Sequence, residues 1–147
     1  MRLYVDSNVF ISLFKEEIGK NLRSLFAEAL SFFENAGKSK HTLIISNLTV
    51  KEVSKICFID EPSIIEELKK YSIKLAIVEI NKENEKDYYY KGVHYPDSLH
   101  ASTAKKELCD GIVTFNTKDF QIIEKEIQIF QPSDIKDSSI KNESFLS

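Results

Sequence analysis

Tryptophan is absent from this chain of 147 residues, and Tyr and Phe supply all of its aromatic character. Cysteine is scarce: Cys57 and Cys109 stand far apart in no metal-ligand spacing, which argues against a cysteine-bound zinc. They are expected to be reduced thiols packed in the core. The N-terminal MRLYVDSNVF turns polar too quickly for a secretory signal. No apolar run approaches the ~18 residues of a membrane span, so a cytoplasmic protein with no membrane partner is expected. An excess of positive charge is also missing. The net charge of −3 is no electrostatic advertisement for a nucleic-acid partner. It does not exclude one, because acids gathered around divalent cations become locally neutral or positive once the metals bind. Repeats, low-complexity tracts and linkers are lacking as well.

What is present fits one ordinary globular domain: 42% apolar and 29% charged residues, in a length that buries a core without staples. Residues 2–5 (RLYV) form a β-rich run that stops at Asp6-Ser7-Asn8, and Val9, Phe10, Leu13 and Phe14 then follow helical spacing. A second helix is expected from Asn21 to Ala36, with Gly37 as its C-cap. Residues 41–45 read as a strand, Ser46 to Phe58 as a helix bearing Val50, Val53 and Ile56, and Pro62 to Tyr71 as another helix. Ile73 to Ile80 is the strongest strand pattern, and Asn81–Tyr95 is polar and Tyr-rich with no clear periodicity. Asp97 to Leu108 reads as a helix whose Leu99, Ala101, Ala104 and Leu108 face a sheet. Gly111 to Phe115 and Ile127 to Phe130 read as closing strands. From Pro132 a loose polar end is expected, giving a domain over 1–135 and a tail over 136–147. Strands alternating with helices imply a mainly parallel sheet covered on both faces, with a site beyond the carboxyl ends of the strands.

Several acids fall near those ends. Asp6 directly follows the first strand, and Glu52 lies on the helix after the second. Asp97 opens the helix that leads to the GIVTF strand, and Asn116 and Asp119 lie just beyond that strand. Each also has a bland reading. Asp6 is a natural N-cap. Glu52 completes Thr49-Val-Lys-Glu52, a capping-box pattern. Asp97 suits the positive end of a helix, and Asn116 and Asp119 suit a turn.

Three stretches weigh against the bland set when taken together. Val5-Asp6-Ser7-Asn8, Asp97-Ser-Leu-His-Ala101 and Asp110-Gly-Ile-Val-Thr114-Phe-Asn116-Thr-Lys-Asp119-Phe120 resemble, in order and spacing, the signatures of PIN-domain nucleases. The similarity extends over about residues 1–135, nearest to the VapC-like toxins of bacteria and archaea. The resemblance implies a three-layer α/β/α fold with a mainly parallel central sheet, and a metal-dependent ribonuclease. By position it makes Asp6, Glu52 and Asp97 metal-binding carboxylates. Asn116 departs from one family pattern, so Asp119 is taken as the fourth acid, with Asn116 as a neutral ligand or neighbour. Ser7 and Thr114 would hold carboxylates or metal-bound waters. One or two Mg²⁺ or Mn²⁺ ions, an RNA substrate, a cognate antitoxin and a homodimer are implied in the same way. The chemistry suits the residues: clustered carboxylates repel until a divalent cation binds, and that cation activates water against a phosphate.

The remaining candidates read more plainly. His94 and His100 lack ligand spacing; His100 lies one turn from Asp97, within reach of the site, but a packing or surface role is expected for it, with a surface role for His41. Tyr88-Tyr89-Tyr90 with Lys86 and Lys91 would either stack bases or form a protein interface. The wide apolar face from Leu22 to Phe33 is expected to be core, partly covered by a partner. Two rivals remain: a PIN-fold binding module without catalysis, and a haloacid-dehalogenase-type phosphatase, whose second acid is replaced here by Asn8.

Overall fold

The computed structural model describes residues 1–16, 23–82 and 85–138. Strands β1 (Arg2–Val5), β2 (Thr42–Ser46), β3 (Lys74–Val78), β4 (Gly111–Val113) and β5 (Gln128–Phe130) form one sheet in the order β3-β2-β1-β4-β5, with every pairing parallel. The helices are α1 (Ser7–Phe14), α2 (Leu25–Lys38), α3 (Asn47–Cys57), α4 (Glu61–Lys69), α5 (Glu85–Tyr90), α6 (Asp97–Lys106) and α7 (Thr117–Phe120). No helix among the described residues is long and apolar enough to cross a membrane.

Period-two alternation divides the sheet residues between two cores. Leu3, Val5, Leu43, Ile45 and Val113 face one core, with Phe10 of α1 and Phe32 and Phe33 of α2. Tyr4, Ile44 and Ile112 face the other, with Ala101 and Ala104 of α6 and with Phe120. This is the three-layer α/β/α arrangement expected. Burying each of these large side chains contributes about 1.5–3 kcal/mol. Trimming fully buried Phe33 to Ala should therefore cost about 3–5 kcal/mol once its cavity is included.

Local chemistry shifts several boundaries. Helix α2 starts at Leu25 because the Ser24 hydroxyl accepts from the Ala27 N–H; Asn21 and Leu22 lie outside the described residues. Gly37 is inside α2 rather than capping it. A Cβ there would stand 1.9 Å from the Tyr71 carbonyl oxygen, so the chain needs Gly for close approach to the turn after α4. Helix α6 ends at Lys106, and Leu108 does not pack on the sheet. At φ 54° it turns the chain into β4 and stays 80% exposed. The segment Asn81–Tyr95 contains α5, on which Tyr88 is buried in the second core rather than available to bases. Lys91, from the same cluster, pairs with Glu126 at 2.9 Å.

The chain after Pro132 is not loose as far as Ser138. Pro132 and Ile135 are buried, the Asn35 side-chain amide donates to the Ile135 carbonyl, and Ser39 Oγ bonds Lys136 O and Ser138 N. The rest of the expected tail lies outside the described residues. The two cysteines form no disulfide and are half-buried, each packed against one of the cores.

Candidate functional site

A parallel sheet puts all its carboxyl ends on one edge. Here the connections leave central β1 toward β2 on one side and return at β4 on the other, creating a switch point beside β1. Asp6 sits at that point. It is 6% exposed, and its backbone N–H donates to the Val113 carbonyl at 2.9 Å. Its side chain caps α1, as the bland reading expected, with Oδ1 accepting from the Ser7 N–H at 2.8 Å. Its other oxygen accepts from the Thr114 hydroxyl at 2.8 Å and from Asn8 Nδ2 at 3.3 Å. Thr114 in turn accepts from Asn8 Nδ2 and the Asn116 N–H, and Asn8 Oδ1 accepts from the Phe115 N–H. Ser7 thus touches the carboxylate through its backbone. Asn8, whose role was not anticipated, stitches the β1 and β4 ends together.

Glu52 departs from its bland reading. The capping box of α3 lies one turn earlier: Ser46 Oγ accepts from the Thr49 N–H at 3.2 Å, and Thr49 Oγ1 accepts from the Ser46 N–H at 3.3 Å. Glu52 is therefore released from capping and reaches across to α6, where its Oε1 meets His100 Nε2 at 2.8 Å. His100 is neither a surface residue nor an inert packing one, being 1% exposed with both ring nitrogens engaged. Its Nδ1 makes a short bond with the Tyr4 hydroxyl, and that hydroxyl donates to Ser46 Oγ at 2.9 Å. Both ring nitrogens thus face oxygen, which suits a doubly protonated ring. Burial opposes that charge, but the Glu52 bond and the charges of Asp6, Glu52 and Asp97 outweigh it, so the His100 pKa is raised. The only sequence signal for this role was position, one helical turn from Asp97.

Asp97 opens α6 half-buried, without a side-chain cap bond at that terminus. Its carboxyl is pushed up to about 6, by burial first and then by the charges of Asp6 and Asp119, with Glu52 adding a smaller push. The Asp6 carboxyl is also raised, chiefly by burial, although His100 and Thr114 pull it back. Asp119 and Asn116 are exposed around α7, and Asp119 N–H donates to Asn116 O at 3.0 Å. Asp6, Glu52, Asp97 and Asp119 thus form one electrostatically coupled group. Neither Lys nor Arg stands among the strongest influences on Asp6 or Asp97.

Four acids facing one histidine leave negative charge unbalanced, and the oxygen-only donors match a hard divalent cation. The residues fit such an ion by charge and chemistry, yet they are not clenched. Among the described residues, no three His, Cys, Asp or Glu side chains are drawn together closely enough to hold one. Beside Asn116 and Asp119 opens a cleft of about 560 Å³, whose walls include Arg23, Phe115, Lys118 and Gln131. Arg23 lies 5.9 Å from the Phe115 ring centroid and pairs with Glu28. A hollow of about 330 Å³ between α2 and the Pro132–Lys136 segment shares no residue with the acids.

Compared with known proteins, residues 3–126 match the family model described as PIN domain. Members of that family are in general metal-dependent nucleases. No curated protein matches the chain.

Proposed function

The chain belongs to the PIN domain family, and from that premise we propose that it is a Mg²⁺- or Mn²⁺-dependent endoribonuclease serving as the toxin of a VapC-like type II toxin–antitoxin pair. The observation that carries the reading is the acid group at the carboxyl edge of the sheet, where the charges of Asp6, Asp119 and Glu52 all bear on half-buried Asp97. Like charges held together against their own repulsion store a preference for a cation. Asp6, Glu52, Asp97 and Asp119 would hold one or two ions, with Asn116 as a neutral neighbour. A bound divalent ion supplies an activated water and neutralises charge developing on the phosphate.

The protein's own part is placement. Thr114, Asn8 and the Ser7 N–H fix the orientation of the Asp6 carboxylate, so little reorganisation is left for the reaction. Exposed Asp119 lines the cleft, where Lys118 offers a cation to the RNA backbone and Phe115 an aromatic wall. A cytoplasmic RNA is the proposed substrate. A second copy of the chain and an antitoxin are its proposed protein partners.

The test is cleavage of a mixed cellular RNA pool in EDTA, Mg²⁺ or Mn²⁺, with Asp6→Asn alongside, and growth of cells expressing each form. Metal-dependent cutting and growth arrest, both lost in the variant, are expected. Mn²⁺ binding without any cutting would favour the silent binding module.

A further inference from the structure

We infer that His100 is a positioning residue that holds the Glu52 carboxylate in the acid cluster, and that buried Tyr4 locks it in that pose. The inference rests on reading Asp6, Glu52 and Asp97 as metal-holding acids, and it adds to them a part of the site made by no acid. Glu52 projects from the middle of α3 with its side chain 25% exposed, and its bond to His100 is its only hydrogen bond among the described residues. A glutamate left to itself would sample several rotamers, and fixing it costs side-chain entropy. The group that fixes it is itself rigid. His100 is 1% exposed, and fully buried Tyr4 holds its far nitrogen.

The chain of bonds then closes on itself. Tyr4 OH donates to Ser46 Oγ and lies 3.3 Å from Thr49 Oγ1, and these two residues form the capping box of α3. One phenol on β1 therefore anchors the start of α3 directly and, through His100 on α6, the side chain that α3 sends to the site. Three elements that contribute acids, β1 through Asp6, α3 through Glu52 and α6 through Asp97, are tied at one buried junction. A leucine at 100 would fill most of the space and cut this link. A glutamine, whose amide N–H reaches about as far as Nε2, would keep the donor to Glu52.

The deciding experiment measures Mn²⁺ affinity of the full chain by calorimetry, without RNA, with circular-dichroism melting to check folding. The variants are Asp6→Asn, Glu52→Gln, His100→Leu, His100→Gln, Tyr4→Phe and the double variant Glu52→Gln/His100→Leu. We expect His100→Leu to weaken Mn²⁺ binding about 10- to 100-fold, the usual range for a partner that orients a ligand. His100→Gln should restore most of the loss, and Tyr4→Phe should weaken binding less than His100→Leu. The double variant should bind no more weakly than Glu52→Gln alone, because both substitutions remove one interaction. Native affinity in folded His100→Leu, failure of folded His100→Gln to restore it, or losses that add in the double variant would each overturn the inference. Should His100→Leu not fold, unchanged affinity in Tyr4→Phe, or an affinity in His100→Gln no better than in Glu52→Gln, overturns it instead. Native affinity in Asp6→Asn and Glu52→Gln would instead sink the metal reading of the acids. Weakening in those two with none in His100→Leu removes the positioning role alone.

Discussion

Asp6 and Asp60 occupy the same local position, the N-cap of a helix, and both accept a backbone N–H from it. Their surroundings drive them in opposite directions. Asp60 stands in water before α4, and bonds from the Ser63 hydroxyl and N–H lower its pKa. Asp6 stands at the dry carboxyl edge of the sheet, where burial, reinforced by Glu52, raises its pKa in spite of comparable bonds. A cap satisfied by solvent is a structural device. A cap held without solvent among other acids retains unspent electrostatic energy, which marks a functional-site candidate.

The sharpest way to break this contrast is to neutralise each cap. Asp6→Asn should lower metal-dependent RNA cleavage by on the order of 10³-fold, about 4 kcal/mol of transition-state stabilisation, while Asp60→Asn leaves it unchanged. Equal activity in the two variants, with normal melting curves, would erase the distinction. Asp97→Asn should silence cleavage to a similar degree yet raise the melting temperature in EDTA, because it removes a repelled charge.

A smaller effect separates the two candidates for the fourth position. Asp119→Asn should reduce cleavage about 10-fold or more, and Asn116→Ala by less. The reverse ranking would move the fourth ligand to residue 116.

The pH dependence of stability follows from the sign of the Asp97 shift. Its pKa rises from 3.8 unfolded to about 6 folded, so the folded chain binds this proton more tightly. The resulting stability is complete below about 3.8 and is lost as pH rises through about 6. After discounting for the solvent reaching this half-buried group, it amounts to about 1–2 kcal/mol. Melting in EDTA should therefore be higher at pH 5 than at pH 7 by a margin that shrinks in Asp97→Asn and in Mg²⁺. An unchanged margin in that variant would assign the effect to other groups. Least of all, Asp60→Ala should lower the melting temperature slightly by removing the α4 cap, without touching cleavage.

Much of the architecture was legible in one dimension. Short continuous apolar runs at RLYV, HTLII and GIVTF and period-3.6 runs between them carry the same burial information that the folded chain uses, so the strand–helix alternation and the parallel sheet could be read directly. Boundaries were less legible where a distant contact decides them. Gly37 looks like a C-cap until the Tyr71 carbonyl is found against it, and Leu108 looks like core until its backbone turns. Tyr88 carries no mark to distinguish it from Tyr89, yet one is buried and the other 51% exposed.

The site divides in the same way. By itself the sequence determined which acids follow which strands, because Asp6, Glu52, Asp97 and Asp119 are placed by chain order and by the rule that parallel strands end on one edge. Only the tertiary structure decided which bonds those acids make. Thr49 takes the capping box and frees Glu52, His100 crosses from α6 to meet it, and Asn8 joins the β1 and β4 ends. Those contacts span 48 residues in one case and over 100 in others. A hydrogen bond depends on a few ångströms of space, and spacing along the chain carries no measure of that distance.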